Sequence, residues 1–424
     1  MSEKKQSANI AYSNLGQRAH SPVITDLMHR ALHTPGLLSL SAGFTDNETL
    51  PRALIENAVL ELGRVRHDLE YLQYCSNQGR SGLLNLLTER LNGYAEETTG
   101  TFTAQQLMIT NGSQQALYLA MQSLCNAGDI VLVEEPSYFV FLELLQGLGI
   151  EAVPMSTMHS DALHRQFERM QITGDLHRVK AVYIQGYFAN PSSHSLSTEA
   201  KTALANALLQ AGLRIPVIED AAYRELYFEA PHPVSSVFSL KAYTAFPKLY
   251  LGTCTKPFAT GFKIGYGVCS DPEWLSKMLA IKGHQDFGSA NFTQAILEAV
   301  IKSGAYDQHL DQVRVHYQKK ADIMGDVLQH SDLRQLGWNW TNPQGGLYYW
   351  LQGPQHIDTR MGEPLCEACI ERGVLYVPGN LCKSVPNEHS SIRLSFGALP
   401  TEKLKEATQR FVEVVQAFEE RFKI

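Results

Sequence analysis

Between about residue 105 and residue 290 the chain alternates short apolar runs with segments of helical spacing, and that alternation restricts the fold more than any other feature. "SQQALYLAMQSLCNAG" (113–128) has helical spacing and closes on a glycine; "DIVLVEEP" (129–136) is a short apolar strand closed by proline. "YFVFLELLQGLG" reads as helix, "IEAVPM" as extended chain and "VKAVYIQ" (179–185) as strand. "STEAKTALANALLQAG" (197–212) is a helix with a hydroxyl cap and a glycine stop, and "RIPVIED" (214–220) is again a strand. Strands separated by helices of this length predict a mostly parallel sheet covered on both faces. After about residue 290 a long helical region (291–330) leads to "GGLYYWLQ", a helix near 360–372, "GVLYVPG", "SIRLSF" and a final helix (401–422). That pattern predicts a second, smaller α+β lobe, with the irregular N-terminus packed on it. The expected division is residues 1–50, 51–300 and 301–424.

Composition removes several function classes. A net charge of -7 argues against a general nucleic-acid binder. The opening "MSEKKQSANIAYSNLG" has no apolar signal core, and no stretch approaches the ~20 apolar residues of a membrane helix. The chain is expected in the cytoplasm. Seven scattered cysteines are not a disulfide framework, and the C-x-x-C of Cys366 and Cys369 falls on an amphipathic helix, where two buried thiols are expected.

In open α/β sheets the chemistry gathers at the carboxyl ends of the strands. Here those ends offer Gly112, Ser113 and Gln114 at a helix start; Tyr138 after Pro136; Asn190 before Pro191; Asp220 with Tyr223 three residues on; and Thr253, Thr255 and Lys256. Lys263 and Gly261 follow in "YLGTCTKPFATGFKIGYGV". An anion cradle, an aromatic face, an amide, a carboxylate with a phenol, and an amine together match the needs of pyridoxal 5'-phosphate. Its aldehyde needs a primary amine, supplied by Lys256. Its phosphate needs the free amides at Ser113–Gln114, the hydroxyls of Thr253 and Thr255, and the charge of Lys263. Its ring nitrogen needs the carboxylate of Asp220, its phenolic oxygen needs Tyr223 and Asn190, and its flat ring needs Tyr138.

With those residues in place the chain resembles a class I/II aminotransferase of fold type I, close in style to the aminoadipate and kynurenine aminotransferase branch. "LSAGFTDNETLP", "LQYCSNQGRSGLL", "TNGSQQAL", "EEPSY", "ANPSS", "EDAAYREL", "TKPFATGFKIGY", "GGLYYW" and "SIRLSFG" follow in family order along nearly the whole chain. The resemblance implies a large domain with a mostly parallel, seven-stranded type of sheet between helices, a smaller α+β domain, and ping-pong transfer of an amino group from an L-amino acid to a 2-oxo acid. It implies that Arg393 forks the substrate α-carboxylate, that Gly43 lines the substrate site, and that Tyr74 reaches a phosphate across a homodimer interface. The chain departs from the family pattern with Thr255 before the lysine, Thr260-Gly261 in place of Pro-Gly, "NPSS" for "NPTG", and Lys263 where an arginine is usual. Two other readings stand beside transamination: a β-lyase or decarboxylase on the same fold, and, remotely, a regulator that senses the cofactor. Neither a helix-turn-helix pattern nor a basic arm is read in the roughly 50 residues ahead of the family segment. Arg18, His20, Arg30 and His33 are the polar candidates for side-chain recognition, which a dicarboxylate substrate would require and a neutral or aromatic one would not.

Overall fold

Seven strands form one twisted sheet through the middle of the larger lobe: β1 (Leu107–Asn111), β2 (Ile130–Glu134), β3 (Glu151–Met155), β4 (Val179–Gln185), β5 (Val217–Asp220), β6 (Lys248–Thr253) and β7 (Ile264–Cys269). The computed structural model describes residues 10–21, 23–41, 43–64, 69–155, 158–385 and 389–420. The strand order is β1-β7-β6-β5-β4-β2-β3, parallel throughout except at β7, which runs against both of its neighbours. This is the mostly parallel sheet expected from the alternating pattern.

The sheet is apolar on both faces, so its strands carry continuous apolar runs rather than a polar alternation. β2 illustrates the geometry. Val131 and Val133 pack into a cluster with Leu117, Trp274 and Met278, whereas Ile130 and Leu132 pack on the other face with Leu204 and Leu208. Each such side chain, fully buried, contributes roughly 1.5–3 kcal/mol relative to exposure. The covering helices start at polar caps. Ser197 Oγ accepts from the Ala200 N–H ahead of helix Thr198–Gln210, and Asp271 does the same for Trp274 ahead of helix Pro272–Gln285.

Two boundaries differ from the sequence expectation. The helix expected over 113–128 spans Gly112–Leu124; residues 126–129 instead form a turn in which the Asn126 N–H donates to Asp129 Oδ2. The turn wins because the carboxylate of Asp129, immediately before β2, captures the free amide. The helical region 291–330 is two helices, Asn291–Lys302 and Ala305–Gln329, separated at Gly304 with φ +75°. A residue without Cβ adopts that left-handed conformation without steric cost. The closing helix spans Thr401–Glu420, and residues 421–424 lie outside the described residues.

The second sheet has three antiparallel strands, Val377–Pro378, Ser391–Ser395 and Tyr348–Gln352, in that order. Leu38–Ser39 pairs in parallel with Val374–Leu375. Farther toward the N-terminus, Arg18 donates to the carbonyls of Gly147 and Leu148 at the end of helix Phe139–Leu148. All seven cysteines are free, and Cys366 and Cys369 are buried on helix Pro364–Glu371.

Candidate active site

A cavity of about 510 Å³ opens at the carboxyl ends of the strands, between the seven-stranded sheet, the three-stranded sheet and the segment around Gly43. Every residue expected at the site except Tyr74 lines it. The reversed strand β7 explains how the two lysines of one short stretch meet there. β6 arrives at this end with Thr253 and Lys256, and β7 leaves from the same end immediately after Lys263.

The Lys256 ammonium is buried and donates to the Gly43 carbonyl at 2.7 Å. Burial lowers its pKa from 10.5 to about 8, and the nearby charges of Arg393 and Lys263 push in the same direction. Lys263 has φ +55°, and its carbonyl accepts the Gly112 N–H at 2.5 Å. The helix Gly112–Leu124 is pressed against β7 at this point. A Cβ on Gly265 would stand 2.3 Å from the Gly112 carbonyl carbon, so only glycine allows the approach. The Ser113 and Gln114 amides in the first turn have no intrahelical partner, and Gln114 Oε1 is buried with no partner among the described residues. Beside them Thr253 Oγ1 and Thr255 Oγ1 lie 2.8 Å apart.

Asp220 closes β5. Its Oδ2 accepts from the Tyr183 hydroxyl at 2.8 Å and its Oδ1 from the Ala222 N–H at 3.0 Å. Burial pushes this carboxyl above its ordinary value, and the two hydrogen bonds oppose the rise. Tyr138, at the start of helix Phe139–Leu148, forms another wall; burial, then the neighbouring Tyr348 and Asp220, keep its phenol protonated. The Tyr223 hydroxyl lies 2.8 Å from that of Tyr348.

Arg393, on Ser391–Ser395, is 1% exposed. Nη1 donates to Asn190 Oδ1 at 2.8 Å and Nη2 to the Ser41 carbonyl at 2.7 Å, while Nε is buried without a partner among the described residues. Among the described residues no carboxylate pairs with it. Because Arg393 occupies Asn190 Oδ1, Asn190 keeps Nδ2 as a donor.

Three contributors carry no assignment from sequence. Gln185 clamps the Asn190 backbone with two hydrogen bonds, at 2.9 and 3.0 Å. Tyr183 supports Asp220 from the adjacent strand. Tyr348 stands beside Tyr223 and under Arg393. Tyr183 lies inside an apolar run that reads as core and Gln185 closes it without being singled out; "GGLYYW" marks the neighbourhood of Tyr348 without singling it out. Tyr74 lies away from the cavity, 80% exposed, with its ring edge-on to Phe287 at 5.6 Å. Arg18, His20, Arg30 and His33 do not line the cavity.

The residues present fit pyridoxal 5'-phosphate: a buried amine of lowered pKa, a buried carboxylate facing the same space, and a helix start with free backbone amides beside two threonine hydroxyls and Lys263.

Comparison with known proteins agrees. Residues 35–411 match the family described as aminotransferase class I and II. The chain is 29% identical to aromatic-amino-acid aminotransferase 1 of Thermococcus litoralis, covering 95% of this chain and 93% of the relative. It is 28% identical to the 2-aminoadipate transaminase of Thermus thermophilus, covering 94% and 95%. Among solved structures, Pyrococcus horikoshii kynurenine aminotransferase, determined with PMP, superposes with a TM-score of 0.85 at 26% identity, covering 96% of this chain and 97% of that one.

Proposed function

The chain belongs to the class I and II aminotransferases and is a pyridoxal 5'-phosphate-dependent transaminase, and from that premise we propose how its own residues divide the work and which amino acids it takes. The observation that carries the proposal is Arg393. A buried guanidinium held only by neutral acceptors is costly unless an anion joins it. It shares its cavity with Lys256, and a substrate α-carboxylate matches its bidentate geometry.

Bound in this cavity, pyridoxal 5'-phosphate supplies an aldehyde that takes up the amino group and a protonated ring that accepts the electron pair of the α-carbon–hydrogen bond. Lys256 holds and moves the proton. With its pKa near 8, roughly a tenth of it is free amine at pH 7, far more than for an ordinary lysine. It would take the proton from the substrate α-carbon as base and, as acid, deliver it to the carbon that was the cofactor's aldehyde. Asp220, supported by Tyr183 and the Ala222 N–H, keeps the ring nitrogen protonated. Tyr223 and Asn190 serve the phenolic oxygen, Tyr138 the ring face, and Gly112, Ser113, Gln114, Thr253, Thr255 and Lys263 the phosphate. Gly43 accepts from Lys256 and borders the substrate.

The preferred amino donor is an aromatic or neutral amino acid. None of Arg18, His20, Arg30 and His33 lines the cavity, and Phe44, Phe139, Val140 and Tyr187 supply apolar wall. The relatives are named for aromatic amino acids, for kynurenine and for 2-aminoadipate, so their names divide and the reading rests on the apolar wall.

The active unit is a homodimer in which Tyr74 completes the partner's phosphate site. Tyr74, Phe287, Leu72 and Leu69 are 80%, 66%, 62% and 57% exposed, an apolar surface that a second subunit would cover. The division into residues 1–50, 51–300 and 301–424 belongs to the same proposal, supported by the separate sheets; residues 1–9, 22, 42, 65–68, 156–157, 386–388 and 421–424 lie outside the described residues. A cytoplasmic location is supported by seven free thiols, and no described helix is long and apolar enough to cross a membrane.

A panel of amino donors against 2-oxoglutarate and pyruvate tests this reading. Phenylalanine, tyrosine and leucine should exceed aspartate and 2-aminoadipate in kcat/KM. Ammonia, pyruvate or carbon dioxide formed without an oxo-acid acceptor would point instead to a lyase or decarboxylase. Arg393→Lys should lower kcat/KM for every donor alike, because it removes the fork and not a side-chain pocket.

A further inference from the structure

Tyr348 opens the strand Tyr348–Gln352 and is 1% exposed, with its hydroxyl 2.8 Å from the Tyr223 hydroxyl and the two rings edge-on at 5.7 Å. Its backbone is held on two sides: it pairs with Ser395 in the sheet, and its carbonyl accepts from Ser193 Oγ at 2.7 Å. The Arg393 guanidinium stands over its ring, 4.3 Å from the centroid. The phenol is therefore placed, not merely packed, between the group proposed for the substrate carboxylate and the group proposed for the cofactor's phenolic oxygen.

Two hydroxyls that share one hydrogen bond cannot both donate into it. A cation over the Tyr348 ring draws electron density from that ring and makes its phenol a strong donor. If Tyr348 donates, the Tyr223 oxygen is the acceptor and the Tyr223 proton is left for the cavity. Hydrogen bonds in such a chain polarise one another, so Tyr223 becomes a better donor than it would be alone.

We propose that Tyr348 is a positioning residue for transamination: its hydroxyl donates to the Tyr223 hydroxyl and directs the Tyr223 proton onto the phenolic oxygen of the bound cofactor. The proposal rests on the cofactor assignment above. It is specific to this pair, because the hydroxyl of Tyr348 has Tyr223 as its hydrogen-bond partner. The titratable and charged groups around the pair are the Tyr138 phenol and the Arg393 guanidinium, with Asp220, Lys256 and Lys263 along the same cavity. Tyr348→Phe leaves all of these in place and keeps the ring beneath Arg393.

The test uses the holoenzyme and reads the absorbance of the bound cofactor against pH, together with the rate of cofactor loss on dialysis. A donor to the phenolic oxygen favours the deprotonated form of the bound cofactor, so weakening that donor raises the midpoint. Tyr348→Phe should raise the midpoint by roughly 0.3–1 pH unit and speed cofactor loss. Tyr223→Phe should shift the midpoint further, and adding Tyr348→Phe to it should change nothing more. A Tyr348→Phe midpoint equal to the parent's would overturn the proposal. So would a shift that persists undiminished in the Tyr223→Phe background, because Tyr348 would then act by another route. If borohydride traps no cofactor on Lys256 of the parent protein, the cofactor assignment fails and takes this proposal with it. Trapping on Lys256 with an unmoved midpoint sinks the Tyr348 role alone.

Discussion

The Lys320 ammonium lies 2.5 Å from Asp46 Oδ2, and both side chains are buried. Lys320 sits on helix Ala305–Gln329 and also donates to the Gly397 carbonyl. Asp46 accepts from His316 and from the Glu48 N–H, and its own N–H donates to the Tyr317 hydroxyl. This ion pair, together with the His316 and Tyr317 hydrogen bonds from the same helix, fastens the segment that carries Gly43 and Phe44, both on the cavity wall, to helix Ala305–Gln329.

Removing one partner of a buried pair leaves the other charge without compensation, at a cost of about 3–5 kcal/mol. Lys320→Ala should lose stability on that scale in urea unfolding, while Asp46→Asn/Lys320→Met should lose much less. Burial raises the Asp46 pKa, but hydrogen bonds from Lys320, the Glu48 N–H and His316 outweigh it and leave the group below 3.8. Its contribution is therefore present above the unfolded value and is lost as pH falls through the lower folded value. The parent's acid unfolding should be shallower in Asp46→Asn over that window; identical profiles would exclude the carboxylate as a contributor.

The lowered pKa of Lys256 predicts how apo-protein takes up cofactor. Burial, then Arg393 and Lys263, bring it to about 8, and the free amine is the form that reacts. The rate of uptake should rise with pH and level off above about 8, rather than climbing toward 10.5. Purified protein should be yellow, with borohydride fixing the cofactor to the peptide that contains Lys256. Label on any other lysine would remove the central assignment.

Lys263 is held beside the phosphate cradle by its own carbonyl, which accepts the Gly112 N–H. One charge-assisted hydrogen bond is worth about 1.5–3 kcal/mol. Lys263→Ala should release cofactor roughly ten- to a hundredfold more readily, and saturating cofactor should restore much of the turnover. Lys256→Ala should not be rescued in this way. Unchanged retention in Lys263→Ala would assign the phosphate to another cation.

Tyr74 gives a prediction about assembly. An obligate interface of the proposed kind buries more than roughly 2,000 Å², so the protein should sediment as a dimer at micromolar concentration. Tyr74→Phe should weaken cofactor retention without dissociating that dimer. Full activity in a monomeric sample would remove the shared-site arrangement.

Most of the parts at this site are legible in the sequence because each sits at a strand end or helix start, where local chemistry marks it. Lys256 follows an apolar run, Asp220 closes one, and Gly112 opens a helix. The alternation that places those ends together was legible for the same reason: burial on both faces of a sheet forces apolar strands, and their period is local. Tertiary structure alone decided the rest. That β7 runs backward, returning Lys263 to the end where Lys256 stands, is decided by its insertion between β6 and β1, the latter far away in the chain. Pairing between elements likewise decides the Tyr183 support of Asp220 from the neighbouring strand and the meeting of Tyr348 with Tyr223, residues separated by 125 positions. Inside an apolar run a tyrosine has no pattern to distinguish core from site. The difference is which hydroxyl or amide faces it across the fold, and that is fixed by packing between elements, not by the sequence within one.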